Sequence, residues 1–204
     1  MPMHTFDLDA GALCLDFANT VEWHASDDPD DKLNGYDDLV VWAEAAVLLS
    51  PDQADRLRRM AQKQPQMAEA VFERAIALRE AIYRLFADVS EQRAFHAADL
   101  TLLNKALSES LSHLQVVPAP AGFDWGWAES ALAFDQILWP VARSAGDLLI
   151  SDKLERVRQC ADDRGCGYLF VDTSRNRSRR WCSMESCGNR AKAHRHYRRK
   201  QETQ

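Results

Sequence analysis

Four of the chain's five cysteines, Cys160, Cys166, Cys182 and Cys187, lie close together in the last quarter of the sequence, while Cys14 stands alone near its start. Thiols serve as nucleophiles, disulfide partners or metal ligands, and clustering on this scale in a reducing compartment points to metal. The spacing is C-x5-C, fifteen residues, then C-x4-C. Each close pair can form one loop that presents two sulfurs to the same ion, and the longer gap suits a short hairpin bringing the pairs together. Four thiolates favour one tetrahedral Zn2+ with no open position, which makes the site structural and not catalytic. An iron–sulfur cluster or a redox pair is the competing use, since the x5 and x4 loops exceed the commonest two-residue knuckles. His194 and His196 are rival ligands a few residues past Cys187, but they sit among arginines and four thiols already complete the set.

Around the cysteines the charge reverses. The first 150 residues hold 24 Asp+Glu against 11 Lys+Arg, a net of −13; residues 151–204 hold 7 against 14, a net of +7. An acidic body with a basic tail is the asymmetry expected when one part of a chain meets a polyanion. Arg175, Arg177, Arg179 and Arg180 lie between the cysteine pairs, and Arg190, Lys192, Arg195, Arg198 and Arg199 follow the second pair at helical spacing. Arginine's planar fork pairs bidentately with phosphate, so DNA is the expected partner of this segment, reached through its phosphates.

The stretch from Asp172 to Trp181 with Cys182-Ser-Met-Glu-Ser-Cys187-Gly-Asn-Arg190 resembles the CGNR zinc finger, and Leu15-Asp-Phe-Ala-Asn-Thr20 is similar to the start of the ABATE domain that precedes that finger. The resemblance implies a bacterial, stress-induced transcription regulator whose four cysteines bind zinc.

These residues need a frame to position them. Ser50-Pro51 reads as a cap and a first-turn proline, between helices over 36–49 and 52–62. Val71, Ala75, Leu78, Ile82, Leu85 and Val89 step by three and four, as do Leu100, Leu103, Leu107 and Leu111, marking two amphipathic helices. From His113 the period falls to two, with a hairpin turning at 118–122 between Leu114 and Trp127. Helix returns over 129–150, bent at Pro140, and Ser151 or Asp152 caps a last helix delivering Cys160. In the finger a strand from Gly167 precedes the arginine loop, and Gly188 and Asn189 offer a turn and a cap before a final helix. The expected fold is α+β and mainly α-helical: a helical body over 1–150 with a small β-hairpin, and a treble-clef-like finger over 151–204. No Pro/Gly/Ser-rich linker separates them, so the two should be docked, or joined by that last helix, and not swing freely.

A second polar cluster, Asp16, Asn19, Thr20, Trp23 and His24, is the candidate ligand pocket of the body, with Trp125 and Trp139 as further aromatic walls. Asp16 and Asn19 also suit caps or buried hydrogen-bond partners. Phosphate loop, dinucleotide turn, H-E-x-x-H and nucleophile elbow are all missing, so no reaction is named and a non-enzyme is expected. The expected partners are DNA, a small-molecule effector and a second copy of the chain. Two other readings compete: a zinc-stapled protein-interaction module, and an enzyme working in the body. No apolar run reaches membrane-spanning length, and the acids in residues 1–10 do not suit a secretory signal, which places the protein in the cytoplasm.

Overall fold

The computed structural model describes residues 6–128 and 133–193. In chain order the elements are α1 (Leu13–Ala18), β1 (Val21–Glu22), β2 (Asp30–Asp31), α2 (Tyr36–Ala45), α3 (Pro51–Lys63), α4 (Pro65–Ser90), α5 (Ala97–Leu111), β3 (Leu114–Ala119), β4 (Gly122–Trp127), α6 (Leu138–Leu149), β5 (Val157–Gln159) and β6 (Leu169–Val171). A 3-10 turn at Asp152–Arg156 and a π-helical turn at Met184–Gly188 complete them. The protein is mainly helical, with small antiparallel hairpins and a small zinc finger.

Helix α4 is the axis of the body. Its stripe of Val71, Ala75, Leu78, Ile82 and Leu85 is buried as the spacing requires, and the other five helices pack against it or against each other. Ser50 accepts from Gln53 N–H and Gln53 Oε1 accepts from Ser50 N–H, a capping box that starts α3 just ahead of Pro51. Phe17 of α1 meets Trp42 of α2 with ring centroids 4.7 Å apart, so the Leu15–Thr20 motif forms part of the central core. The α5 stripe is narrower than its leucines suggest: Leu103 is buried, but Leu111 is 45% exposed at the helix end.

Three local readings are corrected. Helix α6 begins at Leu138, so Pro140 sits in its first turn, where backbone N–H groups have no helical acceptor and proline removes nothing; residues 129–132 lie outside the described residues. The expected last helix is instead a 3-10 turn and strand β5, and it is this strand that delivers Cys160. The cap expected after the second cysteine pair lies inside it, at Ser183, whose Oγ accepts from Glu185 N–H, while Asn189 already has helical angles and residues 189–193 are helical.

The finger does not stand apart from the body. Strand β5 pairs antiparallel with β6 in the register Val157↔Val171, Arg158↔Phe170 and Gln159↔Leu169. Val157, Leu169 and Val171 belong to the same buried cluster as Cys14, Leu15, Phe17 and Leu78, whereas Phe170, on the opposite face, packs with Cys160 and Cys187. The two faces of one short strand thus serve two cores, as the two-residue period of a strand allows. Arg79 of α4, only 2% exposed, grips Asp31 of β2 bidentately at 2.7 Å and 2.7 Å and fixes the β1–β2 hairpin against the helix.

Candidate metal centre and basic loop

The loop of the β5–β6 hairpin carries Cys160 and Cys166, and the π-helical turn that opens the final helix carries Cys187, with Cys182 just before it. All four Sγ atoms lie within 4.8 Å of one another. A tetrahedral ion with Zn–S bonds of about 2.3 Å sets its sulfurs about 3.8 Å apart, and Cys166 Sγ and Cys182 Sγ stand at 3.8 Å. Cys182 N–H also donates to Cys160 Sγ at 3.4 Å, the kind of contact that orients a ligating thiolate. Hydrogen bonds from the Cys166 and Cys182 thiols hold the Cys160 thiol below its ordinary range, and the same sharing pushes Cys166 up. A dication between the sulfurs would satisfy the charge that one thiolate otherwise holds. The four cysteines therefore form a site able to bind one zinc ion, all-thiolate and structural. Cys14 stays away from it, fully buried in the body with its thiol pushed up to about 12 by desolvation. His194 and His196 lie outside the described residues.

Around the sulfurs runs a polar collar that the residue pattern did not reveal. Asp162, 8% exposed, accepts from Arg164 Nε and Nη2 at 2.9 and 2.7 Å, and the Arg164 guanidinium holds the carboxyl down at about 2. Arg190 donates from Nη2 to Cys187 Sγ at 2.9 Å and brings Nε within 3.7 Å of Asp162. Both guanidiniums lie over the Trp23 ring, Arg164 at 5.4 Å and Arg190 at 4.9 Å from its centroid. Trp23, in a left-handed conformation at φ 56°, thus ties the body to the shell of the metal site. The knuckle seats on the same loop: Ala25 N–H donates to Gly165 O at 3.2 Å, and a Cβ at Gly165 or Gly167 would come within 2.7 Å of Ala25 backbone atoms, at φ +90° and +70°.

The arginines divide into two groups. Arg175, Arg177 and Arg180 are exposed, as is Lys192. Arg177 pairs with Glu155 at 3.3 Å, and Arg180 lies over the Trp181 ring at 5.3 Å. Such exposed pairs exchange readily with solvent or another anion. Arg179 was expected among the exposed cations, but it is half-buried, donating from Nε to Trp181 O at 3.1 Å and from Nη2 to Cys182 O with its guanidinium 4.2 Å from the Phe170 centroid. Arg190, also exposed, holds Cys187 and lies over Trp23. Arg195, Arg198 and Arg199 lie outside the described residues.

The five candidate pocket residues of the body do not converge on one cavity. Asn19 is the most telling: its Nδ2 donates to Leu169 O at 2.8 Å and its Oδ1 accepts from Leu169 N–H at 2.9 Å, so a side chain stands where a third strand would pair with β6. Ala10 O takes the next free donor, Val171 N–H, at 2.8 Å. Thr20 accepts from the buried Arg79 at 3.3 Å, and His24 bonds Glu80 at 2.9 Å while stacking on Tyr83 at 3.5 Å. Trp125 is exposed under Arg143 and Trp139 is buried against His113, so neither shares neighbours with Trp23. Asn19→Ala should leave both Leu169 backbone groups buried and unpaired, a loss on the order of 3 kcal/mol. Urea unfolding with zinc kept saturating measures it.

Asp16 accepts from Ala10 N–H at 3.0 Å, and desolvation pushes its carboxyl up to about 6. A carboxyl whose folded pKa exceeds its unfolded one favours folding most at low pH, and that contribution fades as pH rises from about 4 through about 6. Asp16→Asn keeps an acceptor for Ala10 and has no proton to lose. Its melting temperature should therefore rise relative to the parent between pH 5 and pH 8; a difference flat across that range would place the Asp16 carboxyl in water.

Among the described residues no helix is long and apolar enough to cross a membrane. Residues 156–200 match the family model of the CGNR zinc finger, which spans the cysteines, the arginine loop and the final basic segment. Residues 11–152 match the ABATE model, whose description is "Putative stress-induced transcription regulator". No curated protein matches the chain. With the ABATE model covering well over half of the sequence and the finger following it, the chain belongs to the ABATE family and carries a CGNR zinc finger.

Proposed function

We propose that the protein is a DNA-binding transcription regulator of the cytoplasm, in which the zinc finger grips duplex phosphates and the helical body senses a small molecule. The observation that carries the reading is the loop between the cysteine pairs. It holds Arg175, Arg177 and Arg180 out in solvent on a frame that consumes Arg179 internally. Lys192 on the following helical turn adds a further exposed cation, and Arg195, Arg198 and Arg199 extend the basic sequence. The family description supports regulation of transcription. A stress-linked role follows the same description and no other observation.

The reading gives the body no catalysis and leaves Asp16, Asn19, Thr20 and His24 to structural contacts, Thr20 and His24 being joined through Arg79 and Glu80. A sensing site suits the cavity of about 200 Å3 between α4, α5 and α6, where Leu78, Leu102, Leu138 and Trp139 supply apolar walls and Lys105 and the paired Arg74, Glu109 and Asp135 supply charge of both signs. A second copy of the chain would place two fingers on one duplex. Binding of the zinc-loaded protein to random duplex DNA across a salt series tests the central claim. Affinity should fall steeply as log[salt] rises, because each neutralised phosphate releases counterions. Salt-insensitive or absent binding at low salt would turn the basic finger into a docking surface for an acidic protein.

A further inference from the structure

We propose that Asp172 is a positioning residue for nucleic-acid binding, an internal template that fixes the arginine loop in its binding shape before any phosphate arrives; the inference rests on the DNA reading above. Asp172 follows directly on β6 and is 0% exposed, an unusual place for a carboxylate in the most basic part of the chain. Its Oδ1 accepts from Ser174 N–H at 2.8 Å and its Oδ2 from Arg179 N–H at 3.0 Å, so one carboxylate closes both ends of the segment between them. Those two bonds, with that from the Ser174 hydroxyl, help hold the carboxyl below its ordinary range against a desolvation that works to raise it.

The rest of the loop is built on the same support. Arg156 O accepts from Asp172 N–H at 2.8 Å, and Arg156 Nη1 donates back to Asp172 O at 3.1 Å and to Ser174 O at 3.4 Å. Ser174 Oγ accepts from Ser178 N–H at 3.0 Å and Ser174 O from Arg177 N–H at 3.3 Å, which turns the chain through Arg177 at φ 51°. Residues 175 to 177 are left at the tip with exposed side chains. None of the Asp172 oxygens meets an arginine side chain in these bonds. The carboxylate spends itself on the loop's own frame, and the cations at the tip make no side-chain bond to it, Arg177 pairing instead with the exposed Glu155. A loop of this composition without such a template would have to be ordered by the ligand itself, at a cost in affinity.

The test is a double-mutant cycle on the zinc-loaded full chain, with random duplex DNA as the probe, pairing Asp172→Asn with Arg175→Ala. Asp172→Asn should keep one zinc per chain, speed amide exchange across 174–179, and weaken binding about tenfold. Its effect should shrink markedly when Arg175 is already Ala, since a misplaced arginine and a missing one cost the same contact. Ser174→Ala, a smaller change to the same frame, should weaken binding in the same direction with zinc unchanged. Parental affinity in Asp172→Asn with zinc bound overturns the inference, as does strict additivity with Arg175→Ala. It is likewise overturned if Asp172→Asn loses zinc while Ser174→Ala binds like the parent, because Asp172 then only holds the finger together. A parent that shows no salt-sensitive DNA binding overturns the DNA reading and this inference with it.

Discussion

Stripping zinc from the loaded protein with a chelator should lower the melting temperature of the helical body by more than about 10 °C, and not merely unfold a tail. Structural zinc contributes about 10–16 kcal/mol to folding in small finger peptides, comparable to the whole stability of an ordinary domain. Here the ion's first two ligands sit on the loop of β5–β6, and β6 fills the body core with Leu169 and Val171 while Asn19 and Ala10 pair with its backbone. Losing the metal frees the four sulfurs, the hairpin loosens, and α1 is left facing water. Each single Cys→Ser variant at 160, 166, 182 or 187 should reproduce the loss and bind less than one zinc per chain by elemental analysis. A chelated protein that melts unchanged in the body, or a requirement for a histidine in place of one cysteine, would contradict the all-thiolate and shared-core account.

The other large effect concerns the exposed cations. Replacing Arg175, Arg177 and Arg180 together with Ala should weaken duplex binding on the order of 100-fold near 0.1 M salt and shallow the log–log salt slope by up to about 2.7, since each lost phosphate contact removes about 0.9. Zinc content and melting should stay close to the parent, because these side chains reach none of the sulfurs. Arg179→Ala makes the opposite pair: removing a guanidinium that caps Trp181 O and Cys182 O and covers Phe170 should loosen the second ligand pair first. Metal content measured beside affinity separates the two. Equal zinc loss in both variants would mean that the loop and the ligand frame are one unit.

What the residues disclosed unaided was whatever repeats or clusters along the chain. The α4 stripe from Val71 to Leu85, the Ser50-Pro51 start of α3, the β3–β4 hairpin and the four-cysteine set all rest on local spacing, and all appear in the structure. The roles of Asn19, Trp23 and Arg190 rest on partners far along the chain. Asn19 and Leu169 are 150 positions apart, and nothing in the period of either segment announces the other. Helix and strand boundaries at the junction failed for a related reason: Val157 to Gln159 is a strand because β6 supplies its partner, and a three-residue strand leaves almost no periodic trace. Asp162 and Asp172 owe their roles to contacts that no periodicity records, although each carried a faint sign. An acid inside an arginine-rich stretch, one two residues past a ligand and the other ending an apolar strand, is more economically placed indoors than in solvent.

The side-chain pairing of Asn19 with β6 bears on how such proteins can be cut and recombined. A fragment beginning near residue 151 would carry all four cysteines and the exposed arginines of the loop, yet leave Leu169 and Val171 without cover and the outer edge of β6 open to any strand it met. The finger is thus not a cassette. A chimera that moves it onto another body would have to bring the segment from Asp9 to Ser26 along, since Tyr168, Val171, Leu169, Arg190 and Gly165 each seat on a residue within it. Recombination between relatives would then favour exchanges that keep the two ends of the chain together, and the sequence of the opening segment should drift only in step with that of the finger it holds.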